Sequence, residues 1–90
     1  MTPEQIERRR EVAEIGRRLE PLRDPAVVEW FEQGERGHIS LILSAVNDDM
    51  RREATANLRA LRSLRGAIER VVAEGERARE QIAKQSEIEA

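Results

Sequence analysis

From Asp49 to Ala90 the chain runs 42 residues without a proline, and its apolar residues return at sevenfold spacing. A helix gathers residues at that spacing onto one side, whereas a strand would scatter them over both. Placing Met50, Ala54, Leu61, Leu64, Ile68, Val71, Gly75, Ala78 and Ile82 at the first and fourth heptad positions collects nearly every strong apolar residue of the segment, with Leu58 and Val72 beside the seam. Asn47, Asp48 and Asp49 are capping types whose side chains accept bonds from unpaired first-turn amides, so the helix is expected over 49–85. Such a helix is ~55 Å long, while a compact domain of this size has a radius of gyration of ~12 Å. Part of it is therefore expected to protrude, with Ala78 and Ile82 on an edge offered to a partner. The competing expectation is a kink or fray at Gly75, since glycine costs ~1 kcal/mol against alanine inside a helix.

Two further helices precede it. Thr2, Pro3 and Gln5 make a capping box with proline in the first turn, and Val12, Ile15, Leu19 and Leu22 share a side, so a helix is expected over 3–19. Pro21 ends it by disfavouring helical backbone at Glu20, and the first ten residues are apolar enough only for a frayed start. Asp24 and Pro25 repeat the cap-and-proline start for a helix over 25–46. Gly34 and Gly37 either break it at 34–37 or are tolerated within it. Ile39, Leu41 and Leu43 also alternate as a strand would, but one isolated strand has nothing to pair with, so helix is preferred over 39–46. Residues Ser86 to Ala90 are expected to fray.

The fold class is all-α: one small helical domain over 1–90, a helical hairpin or three-helix arrangement with a long C-terminal coiled-coil-like helix. Charged residues are 38% of the chain and aromatics 2%, the balance of ion-paired long helices and not of sheets. The expected core is Val27, Trp30, Phe31, Ile39, Ile42, Leu43 and Val46. Charge is divided along the chain: residues 24–50 carry Asp24, Glu29, Glu32, Glu35, Asp48 and Asp49 against Arg36, and residues 51–70 carry six arginines against Glu53 and Glu69. The two segments are suited to lie together as an antiparallel hairpin, with arginine favouring forked pairing to carboxylates.

Several functions are set aside by composition. Without cysteine there is neither disulfide nor zinc thiolate chemistry, and with one histidine and no tyrosine a poised base and nucleophile are hard to assemble. The serines at 40, 44, 63 and 86 lie in helical segments without a glycine-rich elbow. No enzyme activity and no cofactor are expected. Glu35 and His38 have the Glu-x-x-His spacing of helical di-iron sites, for which Glu11, Glu14, Glu29 or Glu32 would be the further carboxylates. Glutamate-rich helices show that spacing by chance, and two glycines flank it. Arg52, Arg59, Arg62 and Arg70 face away from the seam and are the residues that would reach phosphates, but no aromatic accompanies them and the chain has a net charge of −2, so nucleic acid is not expected as a partner. No apolar window spans a membrane and no secretory signal stands at the start, so the chain is expected to be soluble, intracellular or virion-associated.

The surface expected to meet a protein partner, or a second copy, is Leu58, Leu61, Leu64, Ile68, Val71, Val72, Ala78 and Ile82 on the C-terminal helix. The acidic stretch RDPAVVEWFEQ and the later NLRALRSLRGAIERVV, within Asp24 to Val72, resemble the short arginine- and glutamate-rich helical proteins encoded among the head genes of tailed bacteriophages. The resemblance implies a non-enzymatic virion or assembly component that binds portal, capsid or scaffold. The alternative is a small regulatory binder, such as an antitoxin or inhibitor, whose C-terminal helix docks in a partner's groove.

Overall fold

A computed structural model describes residues 1–89, and the described chain is three α-helices without a strand. Helix α1 spans Pro3–Leu19, α2 spans Pro25–Ser44 and α3 spans Asp48–Glu89, with a short 3₁₀ turn over Glu20–Arg23. The starts follow from local chemistry. The Thr2 side chain accepts from the Gln5 amide at 3.2 Å while the Gln5 side chain accepts from the Thr2 amide at 2.9 Å, satisfying two donors that a helix start leaves open. Asp24 accepts from the Ala26 amide and Asn47 from the Met50 amide, each at 2.8 Å, so all three helices are capped by side-chain oxygens. Pro21 has no amide to continue α1, and the chain leaves the α-helix at Glu20.

Helix α2 passes through Gly34 and Gly37 without a break, and α3 passes through Gly75 without a kink. α2 stops at Ser44, before the expected limit, and Ala45 is extended. α3 continues beyond Gln85 to Glu89, so residues 86–89 are helical, and Ala90 lies outside the described residues. The start of α1 is helical from Pro3 as well.

The chain divides into two compact units, Arg23–Ala67 and Met1–Leu22 with the segment from Ile68 on. In the second of these α1 packs along the distal part of α3. Its centre is a glycine pair: a Cβ built on Gly16 would lie 2.7 Å from the Gly75 Cα, and one built on Gly75 would lie 2.8 Å from the Gly16 Cα. Backbone meets backbone there, an approach that no residue with a side chain permits. Around it Ala13, Val72 and Ala78 are buried, with Val72 at 0% exposure. Arg9 donates to Gln81 at 2.8 Å and Arg79 pairs with Glu20 across the same two segments. The distal stripe is thus not the bare edge expected from length. Ala78 is buried and Ile82 is half-buried beside Met1 and Ile6. Glycine at 75 is the reason: it is the contact that brings α1 in, not a weak point.

In the unit Arg23–Ala67, α2 and the start of α3 form an antiparallel hairpin. Phe31, Ala54 and Leu58 are buried along its seam, and Leu61 lies over the bare backbone of Gly34, where a Cβ would come within 2.9 Å of the leucine methyl. Arg65 lies between Glu35 at 3.4 Å and Glu32 at 3.6 Å, and Arg62 reaches Glu35 at 3.8 Å. The acidic and basic segments meet through these three pairs.

The packed register of α3 is not the expected one. Positions 54, 61, 68, 75 and 82 are buried or half-buried, but the second set is Leu58, Arg65 and Val72, while Leu64 is 53% exposed and Met50 47%. Apolarity alone favours Leu64 over Arg65 in the seam. The carboxylates of Glu32 and Glu35 reverse that choice by giving the guanidinium partners in a half-buried place.

Candidate functional site

A two-helix hairpin has one seam, and apolar residues turned to its sides can be covered only by another layer. At ~100° per residue, Leu41 and Trp30 stand ~80–100° to one side of Phe31 on α2. On α3, Met50, Asn57 and Leu64 stand at similar angles to one side of Leu58. Because the helices are antiparallel, these two sides are the same flank of the hairpin, and Leu41, Met50, Glu53, Ala54 and Asn57 line one shallow depression on it. Trp30 is 63% exposed, Leu41 54%, and Leu64 and Met50 about half exposed. Among the described helical residues of the unit, Glu53 supplies the one charge on this flank.

The opposite flank differs. Glu32, Glu35 and Arg36 on α2 and Arg52, Arg59 and Arg62 on α3 turn there, and the cross-helix pairs of Glu35 with Arg62 and Arg65 close that side of the seam. Exposed Ile39 and Leu43 share this charged flank, whereas Trp30, Leu41, Met50 and Leu64 lie on the side that holds a single charge. Trp30 meets Phe31 edge to face, with centroids 5.2 Å apart and planes at 84°, so the buried phenylalanine orients the exposed indole.

Several expected positions need correction. Of the expected core, Phe31 is buried and Val27 and Ile42 are half-buried. Trp30, Ile39, Leu43 and Val46 are exposed, the last two at 82%. Leu43 turns to the charged flank, and Val46 falls in the connection after α2 has ended. Of the expected partner surface, Leu58, Val72 and Ala78 are buried inside the chain and cannot meet anything else. Leu61, Ile68, Val71 and Ile82 are half-buried, and Leu64 alone is open. Leu41 and Met50, which no reading of the sequence assigned to a contact surface, belong with Leu64 and Trp30. The spacing of Trp30 and Leu41 around Phe31, His38 and Ile42 was the available signal.

The arginines at 52, 59, 62 and 70 do not make one basic face free for phosphate. Arg62 is engaged by Glu35, Arg52 lies 3.9 Å from Asp49, and Arg70 belongs to the other unit. Arg59 shares a shallow concavity with Arg51, Arg52 and Asp48, where Asp48 pairs with Arg51 at 2.8 Å. Glu35 of the Glu-x-x-His fragment is taken by two guanidinium groups, and Glu14 by Arg17 and Arg18. No group of three or more metal-ligating side chains is assembled among the described residues. His38 turns into the seam with its Nδ1 buried and without a hydrogen-bond partner. No described helix is long and apolar enough to cross a membrane. Comparison with family models, curated proteins and solved structures found no match to this chain.

Proposed function

We propose that the chain is a non-enzymatic assembly protein that works through helix contacts, and that the apolar flank of the Arg23–Ala67 hairpin is its contact surface. The observation that carries this is the sorting of Trp30, Leu41, Met50 and Leu64 to a side that holds a single charge. Together they expose roughly 400–500 Å², the size of the largest apolar patch on a typical soluble protein, which is often functional. Trp30 at the flank is the residue type that most often anchors such contacts. The resemblance to tailed-phage head proteins supplies a setting in which such a subunit would bind portal, capsid or scaffold. A regulatory inhibitor docking through the distal part of α3 is opposed by the burial of Val72 and Ala78 against α1.

The test is the native mass of the chain in extracts of cells that make it, with Leu41→Glu and Leu64→Glu introduced together. A contact surface gives a particle heavier than the 10.3 kDa monomer that collapses on substitution while helicity is kept. Identical elution of the two forms rejects the proposal.

A further inference from the structure

Where α1 packs along the distal part of α3, an open cleft of about 360 Å³ lies beside the crossing, lined by Arg8 and Arg9 of α1 and by Glu74, Arg77 and Gln81 of α3. Positions 74, 77 and 81 follow helical spacing and so share one side of α3. Four arginines of this unit stand against carboxylates: Arg10 against Glu7, Arg17 and Arg18 against Glu14, and Arg79 against Glu20. Arg8 and Arg77, both exposed, form no ion pair among the described residues, although Glu74 stands one turn before Arg77. Arg9 is half-buried. Its Nε donates to the Gln81 side-chain oxygen at 2.8 Å, while its Nη1 is buried without a partner. Folded proteins leave few buried donors unmade, and an unmade charged donor points to an acceptor that the chain itself does not supply.

We propose that this cleft binds a small dianion of the phosphate class. Three guanidinium groups against the single carboxylate of Glu74 leave two positive charges, which a phosphate dianion balances and a lone carboxylate does not. The donor set agrees. Because its oxygen accepts from Arg9, Gln81 has its amide hydrogens left to give, so four side chains present donors and Glu74 alone only accepts. An ion that carries several oxygens and no donor meets such a set, and guanidinium forks match its geometry. Gln81 fixes Arg9 before the ion arrives, while the exposed Arg8 and Arg77 side chains are free to turn toward it. Water does not reach Nη1 as the side chains stand; a dianion that draws Arg8 and Arg77 toward itself brings an oxygen to it. The cleft lies in a different unit from the Trp30 flank and uses none of its residues.

The test is titration of the purified full-length chain with inorganic phosphate above its second ionisation, ionic strength held constant with chloride, followed by nitrogen-15 NMR. The Arg9 Nε–H and Gln81 amide signals should move saturably, with half-saturation in the low millimolar range. Arg77→Gln, at an exposed position where folding is not at stake, should weaken binding about tenfold, the loss expected for one charge-assisted hydrogen bond. Arg9→Gln should weaken it at least as much, and Glu74→Gln, which removes the competing carboxylate, should strengthen it. Arg18→Gln should change nothing, because that arginine pairs with Glu14 and does not line the cleft. Glycerol phosphate titrated beside inorganic phosphate separates the sources: tighter binding of the ester assigns a phosphorylated small molecule, equal binding the free ion. Shifts that grow linearly and are matched by chloride alone overturn the proposal, as does saturable binding that Arg9→Gln and Arg77→Gln leave unchanged. Neither result bears on the mass of the chain in extracts, so the contact surface stands or falls separately.

Discussion

Replacing Gly75 with alanine sets two well-measured effects against each other. Alanine is the better helix former by ~1 kcal/mol in a helix interior, so on propensity alone α3 should gain. Its Cβ, however, would stand 2.8 Å from the Gly16 Cα and 3.2 Å from the Val12 carbonyl oxygen. Both are backbone atoms and neither can swing away. Carbon atoms rest at ~3.5–4.0 Å, so α1 and α3 must part by about 1 Å, a gap that forfeits a quarter to a half of each dispersion well it opens. The buried side chains beside the crossing, Ala13, Val72 and Ala78, lose contact together. Overpacking of this kind costs ~1–3 kcal/mol, leaving Gly75→Ala destabilised by ~1 kcal/mol after the helical gain. Gly66→Ala is the control, because nothing lies within 4 Å of its Cβ position. It should stabilise by ~0.5–1 kcal/mol. Urea and thermal unfolding followed by far-ultraviolet circular dichroism reads both, with ~4–8 °C of Tm per kcal/mol for a chain of this size. The pair Gly16→Ala with Gly75→Ala should cost less than the sum of its parts, since one substitution has already opened the space the other needs. If Gly75→Ala melts at or above the unsubstituted protein while Gly66→Ala gains, the glycine crossing does not hold the two segments together.

Three other outcomes follow from particular side chains. His38→Leu removes a buried Nδ1 that lacks a partner, and should raise unfolding free energy by ~1 kcal/mol in urea titration; a loss would show that the imidazole is satisfied. Arg65→Leu puts an apolar residue at a heptad position that Arg65 now fills between Glu32 and Glu35, and Glu35 keeps Arg62. The Arg65 pairs are long and part exposed, a class worth ~0–1 kcal/mol, so stability should stay within ~1 kcal/mol or rise, whereas a loss beyond ~2 kcal/mol would mean the ion pairs hold the hairpin. The hydrogen bond from Arg17 holds the Glu14 carboxyl below its ordinary range, with Arg18 adding to the effect. A folded-state value lower than the unfolded one means that this contribution is complete above the unfolded value and fades as pH falls through the folded one. Glu14→Gln should therefore remove a small part of the stability at neutral pH and leave the strongly acid end unchanged, which flattens the acid side of the profile, and carbon-13 titration of the Glu14 carboxyl checks the direction independently.

Helix content was legible in the sequence because it is written in short-range chemistry. Thr2 with Gln5, Asp24 with Pro25, and Asn47 each cap a helix through atoms within three residues, and Pro21 removes a donor locally. The hairpin pairing of acidic with basic segments was legible too, since opposite charges of that density on neighbouring helices have few other places to go. What sequence periodicity left undecided was rotation. Ranking by apolarity put Leu64 and Met50 inside and Arg65 outside, but burial depends on what stands opposite, and opposite Arg65 stand Glu32 and Glu35. That turn of the helix moved Leu64 and Met50 onto the flank shared with Trp30 and Leu41. Likewise Gly75 reads as a flaw in a one-dimensional stripe, because glycine's cost is intrinsic while its benefit exists only where Gly16 meets it. Local capping and periodicity fixed which segments are helical. Only the packed structure, through contacts between residues far apart in the chain, decided which faces those helices hide and which they leave bare.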